Sequence, residues 1–254
     1  MNIKFIRNDI SKMETDAIVL PANSELKVGD GSSKAIFEAA GRKKLEKACN
    51  IVTKKKGYIK AGRAVVTSGF NLPSKYIIHA VVPCWNGGNE NEYEKLCSAY
   101  LSSLILADEI GCKSVAIPVL SSGHNRFKGD VALDIAIKSF EEFEPKYDLE
   151  EAVLTLYGHK ITNMVKDRGY EVTELIDTDY VLNNDEHVKD AKEKALDKVV
   201  SLFDLYVVDG LKKALDYMEK PEVVDAVHKK AAEIVQEVLN KGVDVAVNMV
   251  LEQL

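Results

Sequence analysis

Two glycine-bearing loops carry the most chemical potential in this chain. The first runs Asn23-Ser24-Glu25-Leu26-Lys27-Val28-Gly29-Asp30-Gly31-Ser32-Ser33 into a helix-period stretch over residues 34–40. The second runs Ser121-Ser122-Gly123-His124-Asn125-Arg126-Phe127 into another that begins near Gly129. Such a loop turns several backbone N–H groups toward one point. The helix that follows adds partial positive charge there, so the arrangement suits a phosphate, and two side by side suit a diphosphate. Gly123 fits on physical grounds as well, because a side chain there would obstruct close approach of backbone to phosphate. Either loop alone reads equally well as a turn with a good helix cap. Their joint occurrence after two apolar runs points to a ligand.

Other chemistries find less support. Cys49, Cys84, Cys97 and Cys112 have no paired C-x-x-C spacing and no histidine pattern around them, so neither a zinc site nor a disulfide framework is read. Scattered cysteines of this kind behave as small hydrophobes in a reducing compartment. No metal and no cofactor is expected. The formal net charge of −6 argues against a surface devoted to nucleic-acid phosphates, leaving room only for a local basic patch. The N-terminal residues show no signal-peptide pattern, and no apolar run approaches the roughly 20 residues of a membrane span. A cytoplasmic protein without membrane contact is expected.

The elements that position the loops follow from periodicity. Short apolar runs over residues 3–6, 17–20, 64–67, 76–82, 115–119 and 153–157 read as strands. Several are β-branched at successive positions, as in a sheet covered on both faces. Helix-period stretches cover 34–40, 93–110, 131–143 and 161–168. Strands alternating with helices predict a three-layer α/β/α domain on a mixed, largely parallel sheet. In such a sheet, ligands bind beyond the carboxyl ends of the strands.

The character changes after Asp177. Residues 1–177 hold 24 Lys+Arg and 24 Asp+Glu, whereas residues 178–254 hold 10 and 16, so the whole net charge lies in the tail. The reading is a domain over 1–177 and an acidic, all-α extension over 178–254, with a break at Lys220-Pro221 where proline suits a new helix's first turn. Two apolar stripes recur at helical spacing: Leu196, Val199, Val200, Phe203, Val207, Leu211, Leu215 and Met218, then Val224, Val227, Ala231, Ile234, Val238, Val245 and Met249. Such stripes must be buried. A helical hairpin folding onto itself or onto the first domain is favoured, against self-assembly or a protein partner held through residues 186–254. An acidic polar face disfavours a membrane surface.

The order of the motifs resembles the macrodomain family. Asn8-Asp9-Ile10-Ser11, Thr15 to Val19, Pro21-Ala22-Asn23-Ser24, Gly29-Asp30-Gly31 and Ala35 to Gly41 match its opening. The likeness continues through Gly69 to His79, Pro83-Cys84-Trp85 and Val115 to Gly123, covering roughly residues 3–170. It implies binding of ADP-ribose or a related nucleotide, free or on a macromolecule. Carried over by position, Asp9 would accept from the adenine amino group with Ile10 beside it, and Asn23 would lie near the distal ribose. Gly29, Asp30, Gly31 and Ser32 would form the loop at the ribose and phosphate. Ser121, Ser122, Gly123, His124 and Asn125 would hold the diphosphate, with Phe127 near a ribose. Asp9 also reads as a cap, Asn23 as a turn residue bonding its own backbone, and Phe127 as core. His79 reads as a core histidine, and Trp85 as a rim or packing residue.

The pattern departs from the hydrolytic branch of that family, whose first loop carries N-A-A-N and a glycine run before V-D-G. Here the usual catalytic asparagine position is Leu20, which has no polar atom, and the aspartate position is Ser33. Val28 and Asp30 occupy glycine positions, and the second loop reads Gly123-His124-Asn125-Arg126. Asp30 and His124 near the distal ribose are an alternative acid–base pair, and Arg126 an anion clamp. Three functions therefore stand: a binding module; an ADP-ribosyl hydrolase or O-acyl-ADP-ribose deacylase with non-standard catalytic residues; or an interaction protein whose tail provides assembly, the least favoured because Asp9, Asn23 and Ser121-Ser122-Gly123 are retained.

Overall fold

Alternating apolar positions on the central strands supply two separate cores. In the computed structural model, which describes residues 1–121, 123, 125–176 and 217–251 (residues 241–251 as backbone only), seven strands form one sheet. They are β1 Asn2–Arg7, β2 Ala17–Ala22, β3 Ala64–Ser68, β4 Tyr76–Val81, β5 Ser114–Pro118, β6 Glu151–Leu156 and β7 Thr173–Glu174. The order is β3-β4-β2-β5-β6-β1-β7; β3 pairs antiparallel to β4 and every other neighbouring pair is parallel. On β2, Ala17 and Val19 face one core while Ile18, Leu20 and Ala22 face the other. β4 does the same with Ile78 and Ala80 against Ile77 and Val81. A period of two with both faces apolar requires a layer of helix on each side.

Those layers are α1 Ser32–Ala40 and α2 Arg42–Lys56 on one face, and α3 Glu92–Glu109 and α4 Gly129–Glu141 on the other. α5 His159–Asp167 adds its buried Val165 to the second core. The α/β/α class and the largely parallel sheet are as expected, and element ends differ by a residue or two. Two elements are not anticipated by periodicity. α2 is dominated by lysine, and only Leu45, Cys49 and the half-buried Val52 mark its inner face. β7 is two exposed residues long, too short for an alternating pattern, and exists because β1 offers it an edge. The thiols of Cys49, Cys97 and Cys112 are free and buried, and burial pushes each up to about 12, which makes them inert packing groups.

The final helix, α6 Pro221–Leu251, starts at the expected proline. Its Val223, Val227, Ala231, Ile234, Val235 and Val238 are buried in the core that α3 and α4 share, so this stripe is covered by the domain itself. Val224 of the expected stripe is only half-buried, and Val223 and Val235 take its place facing inward. Polar contacts rim the contact: Lys138 on α4 pairs with Glu237 and Glu142, and Glu142 pairs with Lys230. Ahead of α6, Arg63 donates to the Met218 carbonyl at 3.3 Å. The expected stripe from Leu196 to Leu215 lies outside the described residues, as do the side chains of Val245 and Met249. Among the described residues, no helix is long and apolar enough to cross a membrane.

Candidate functional site

The chain crossovers part between β2 and β5. After β2 the chain passes through α1 to the β3 side of the sheet, on one face; after β5 it passes through α4 to β6, on the opposite face. Neighbouring parallel strands whose connections leave in opposite directions open a crevice at their carboxyl ends. Both glycine loops leave from that edge, because Ala17 and Ile18 of β2 pair with Val115 and Ala116 of β5. The loops after β6 and β1 emerge at the same edge, since β5, β6 and β1 are mutually parallel. At about 4.8 Å per strand, the carboxyl ends of β2 and β1 stand about 14 Å apart.

The first loop is held by its own backbone. Asn23 Nδ2 donates to the Lys27 carbonyl at 2.8 Å, and its Oδ1 accepts from the N–H groups of Glu25 at 3.2 Å and Lys27 at 3.0 Å. Asn23 thus bonds the backbone of its own loop, as a turn residue does. Leu26 adopts φ 54 to drive its side chain into the core. Gly31 is the N-cap of α1 with φ 59 and ψ −127, a conformation that only glycine adopts without strain, and no side chain among the described residues caps the helix. Ser32 opens the first turn. The leading N–H groups of α1 thus keep the electropositive character of an uncapped helix end. Ser33 is buried, and its Oγ accepts from the Gly29 N–H at 3.1 Å. Asp30 is exposed between the two glycines.

The second loop is anchored to the segment after β4. Ser121, at φ 61, donates from Oγ to the Pro83 carbonyl at 3.2 Å, and Asn125 Nδ2 donates to that same Oγ at 3.4 Å. The Asn125 carbonyl accepts from Trp85 N–H at 2.9 Å, and its Oδ1 accepts from Cys84 Sγ at 3.3 Å. The buried Tyr100 hydroxyl accepts from Leu120 N–H at 2.6 Å. Arg126, exposed and at φ 63, closes the turn by donating to the Gly123 carbonyl at 3.2 Å. Gly123 is exposed and has no left-handed φ, and a Cβ built on it meets nothing within 4 Å. Nothing among the described residues demands glycine there. Phe127 is the core residue of its two readings: 6% exposed and edge-on to Trp85, which also packs on Tyr93. Ser122 and His124 lie outside the described residues.

At the β1 end, Asp9 caps a 3-10 turn over Ile10–Lys12; its Oδ1 accepts from Ser11 N–H at 2.9 Å and Ser11 Oγ at 2.7 Å. Ile10 packs into the core beside α1. Periodicity misses two neighbours of Asp9. Tyr157 follows β6, is 44% exposed, and in the β1–β6 register stands opposite Asn8. Arg7, 1% exposed, donates to the carbonyls of Tyr157 at 3.3 Å and Ile176 at 2.9 Å and to Glu174 Oε2 at 2.9 Å. It also lies 3.1 Å from His159 Nε2, which must accept because a guanidinium only donates. This cation ties β1, the β6–α5 loop and β7 together under the Asp9 turn. The only advance signal for either residue is an aromatic or a charge at the end of an apolar run.

Leu20 and His79 are fully buried. His79 Nε2 sits 2.8 Å from Thr67 Oγ1, its Nδ1 has no partner among the described residues, and burial pushes the imidazole down to about 3. It is a neutral core histidine. No three His, Cys, Asp or Glu side chains among the described residues are grouped to hold a metal ion.

Comparison with known proteins agrees with this architecture. The macro domain family profile matches residues 19–136. A macro domain-containing protein of Caldanaerobacter subterraneus is 39% identical over 170 residues, which is 67% of this chain and 92% of that protein. An O-acetyl-ADP-ribose deacetylase of Escherichia fergusonii is 40% identical over 151 residues, 59% of this chain and 85% of its own. Among solved structures, the Oceanobacillus iheyensis macrodomain with ADP superposes at a TM-score of 0.60 with 31% identity, covering 64% of this chain and 87% of that one. A variant of it with ADPR reaches 0.62 with 30% identity, covering 65% and 90%. From its switch-point crevice, its sheet order and these relatives together, the chain belongs to the macro domain family.

Proposed function

We propose that the protein binds ADP-ribose, or a close derivative free or attached to a macromolecule, along the carboxyl edge from β2 to β1. The observation that carries this reading is the pair of glycine loops leaving adjacent parallel strands at the point where the crossovers part. In this reading the uncapped N-terminus of α1 and the 121–126 turn receive the diphosphate. Asp9 accepts from the adenine amino group, and the exposed Tyr157 ring covers the base. Gly29, Asp30, Gly31 and Ser32 surround the distal ribose. The solved relatives with ADP and ADPR support it. Titration calorimetry with ADP-ribose tests it: saturable one-site binding, lost with Gly123→Val, is expected. Absence of heat and of any thermal shift at millimolar ligand would overturn it.

The second reading, hydrolysis or deacylation at the distal ribose, is favoured by the relatives named O-acetyl-ADP-ribose deacetylases. Against it stand Leu20, buried in the core, and Ser33, whose hydroxyl already serves Gly29. Any chemistry would fall to Asp30 with His124. Mass analysis of O-acetyl-ADP-ribose and of ADP-ribosylated protein incubated with the enzyme decides between them. Turnover abolished by both Asp30→Ala and His124→Ala would establish the pair; unchanged substrate leaves a binding module.

A further inference from the structure

The net charge of −6 conceals a strongly basic element. Residues 42–63, comprising α2 and the turn after it, hold nine cations against the single anion Glu46. Arg42 is paired with Glu46 and Lys56 with Glu219. Lys43, Lys44, Lys47, Lys54, Lys55 and Lys60 form no ion pair with any described residue, and all but the half-buried Lys44 are exposed. At 3.6 residues per turn, Lys43, Lys47 and Lys54 fall within about 40° of one another along about 16 Å of helix. Leu45 and Cys49 are buried on the opposite side. Beside this stripe stand Ile51, 59% exposed, and Tyr58, 74% exposed.

We propose that this lysine stripe, with Tyr58, is a docking surface for single-stranded nucleic acid, and hence that the ADP-ribose received by the cleft is carried on a nucleic acid. The docking surface stands on its own observations; the second half rests on the function proposed above. A row of unpaired lysines matches a phosphate backbone, and an exposed aromatic among them offers a stacking platform for a base. A membrane surface does not fit, because such a helix must insert its apolar face, and α2 has that face committed to the core. The stripe also connects to the cleft. The Ile59 N–H, next to Tyr58, donates to the Ser24 carbonyl at 3.1 Å, immediately after Asn23 of the first loop. A strand lying on α2 is thereby led to the distal-ribose end.

The test is fluorescence anisotropy of the full chain with a labelled oligo(dT) of about twenty nucleotides, across a salt series from about 50 to 200 mM. Saturable binding is expected. The triple variant Lys43→Gln/Lys47→Gln/Lys54→Gln should bind at least ten-fold more weakly and flatten the log K against log salt slope by about two. Tyr58→Ala should weaken binding about five-fold or more. Both variants should keep the wild-type melting temperature and ADP-ribose affinity, since neither touches the cleft. An oligonucleotide bearing ADP-ribose should bind at least ten-fold more tightly than either ligand alone. No oligonucleotide binding at the lowest salt, equal binding by the triple variant, or equally tight binding of poly-glutamate overturns the docking surface, the last outcome reassigning it to acidic protein. Oligonucleotide binding without ADP-ribose binding leaves the docking surface intact and sinks the cleft assignment instead.

Discussion

Leu20 on β2 lies opposite His79 on β4 in the parallel register, and neither side chain has any solvent exposure. The position where hydrolytic relatives are expected to carry a polar asparagine is therefore a core position here, beside a neutral imidazole. Leu20→Asn should not create a ribose contact. It should instead lower stability by about 3 kcal/mol, through lost packing and a buried amide, with ADP-ribose affinity unimproved in calorimetry.

The same histidine sets a pH dependence. Burial holds its folded-state pKa at about 3, against the ordinary 6.5 of the unfolded chain. Between those values the unfolded state binds the extra proton, so stability falls as pH falls from about 6.5 toward 3. Urea unfolding of the wild type against His79→Gln should show a difference in stability that shrinks or reverses as the pH is lowered through that window. Parallel curves at every pH would contradict the assignment.

Gly123 separates a ligand's demand from the fold's. A Cβ there meets no atom of the described residues within 4 Å and the backbone is not left-handed, so Gly123→Ala should change the melting temperature by less than about 2 °C. Its ADP-ribose affinity should still fall about ten-fold or more, because backbone N–H groups must approach the phosphate closely. Gly31→Ala is the contrasting case: at φ 59 it should cost about 1–2 kcal/mol of stability as well.

A pair of variants divides the cap that Asp9 makes from the adenine contact proposed for it. Asp9→Asn keeps an oxygen for Ser11 and should retain the turn, while Asp9→Ala should lose about 1 kcal/mol with the cap. If the carboxylate recognises adenine, both should weaken ADP-ribose binding while leaving ribose 5-phosphate binding unchanged. Equal affinities in wild type and Asp9→Asn would confine the residue to its capping role.

The polar rim of the α6 contact should weaken in acid, while its buried apolar stripe persists. Glu142 is held below its ordinary range by its bonds to Lys230 and Lys138. Its contribution is present above the usual carboxylate pKa and is lost as pH falls through the depressed value. Melting curves of Glu142→Gln should approach those of the wild type as the pH drops below the ordinary carboxylate range. Ile234→Ala, which empties a core position under α6, should cost about 2–5 kcal/mol at neutral pH.

Sequence reading reached the elements whose burial is periodic. β2 and β4 alternate between two cores, so their apolar runs announce both a strand and a covered sheet. α2 escaped because its lysines outnumber the three residues that mark its inner face, and the same lysines disappear into a net charge dominated by the acidic tail. Asn23 and Phe127 were legible as residues but not as roles: the same amide serves a ribose or its own loop, and the same ring lines a cleft or a core. Arg7 and Tyr157 gave almost no signal, since one charge or one aromatic at a strand end is common.

What the amino-acid order determined by itself was local: strands, helices, loop composition, the proline that starts α6, and the motif order that marks the family. Which loops share an edge was decided only by the fold. Asp9 and Ser121 are brought to one edge of the sheet because β1 and β5 lie parallel with a single strand between them, and no periodicity encodes strand order. The engagement of Asn23, the burial of Leu20 and the covering of the α6 stripe by α3 and α4 were settled likewise, by packing between segments far apart in the chain.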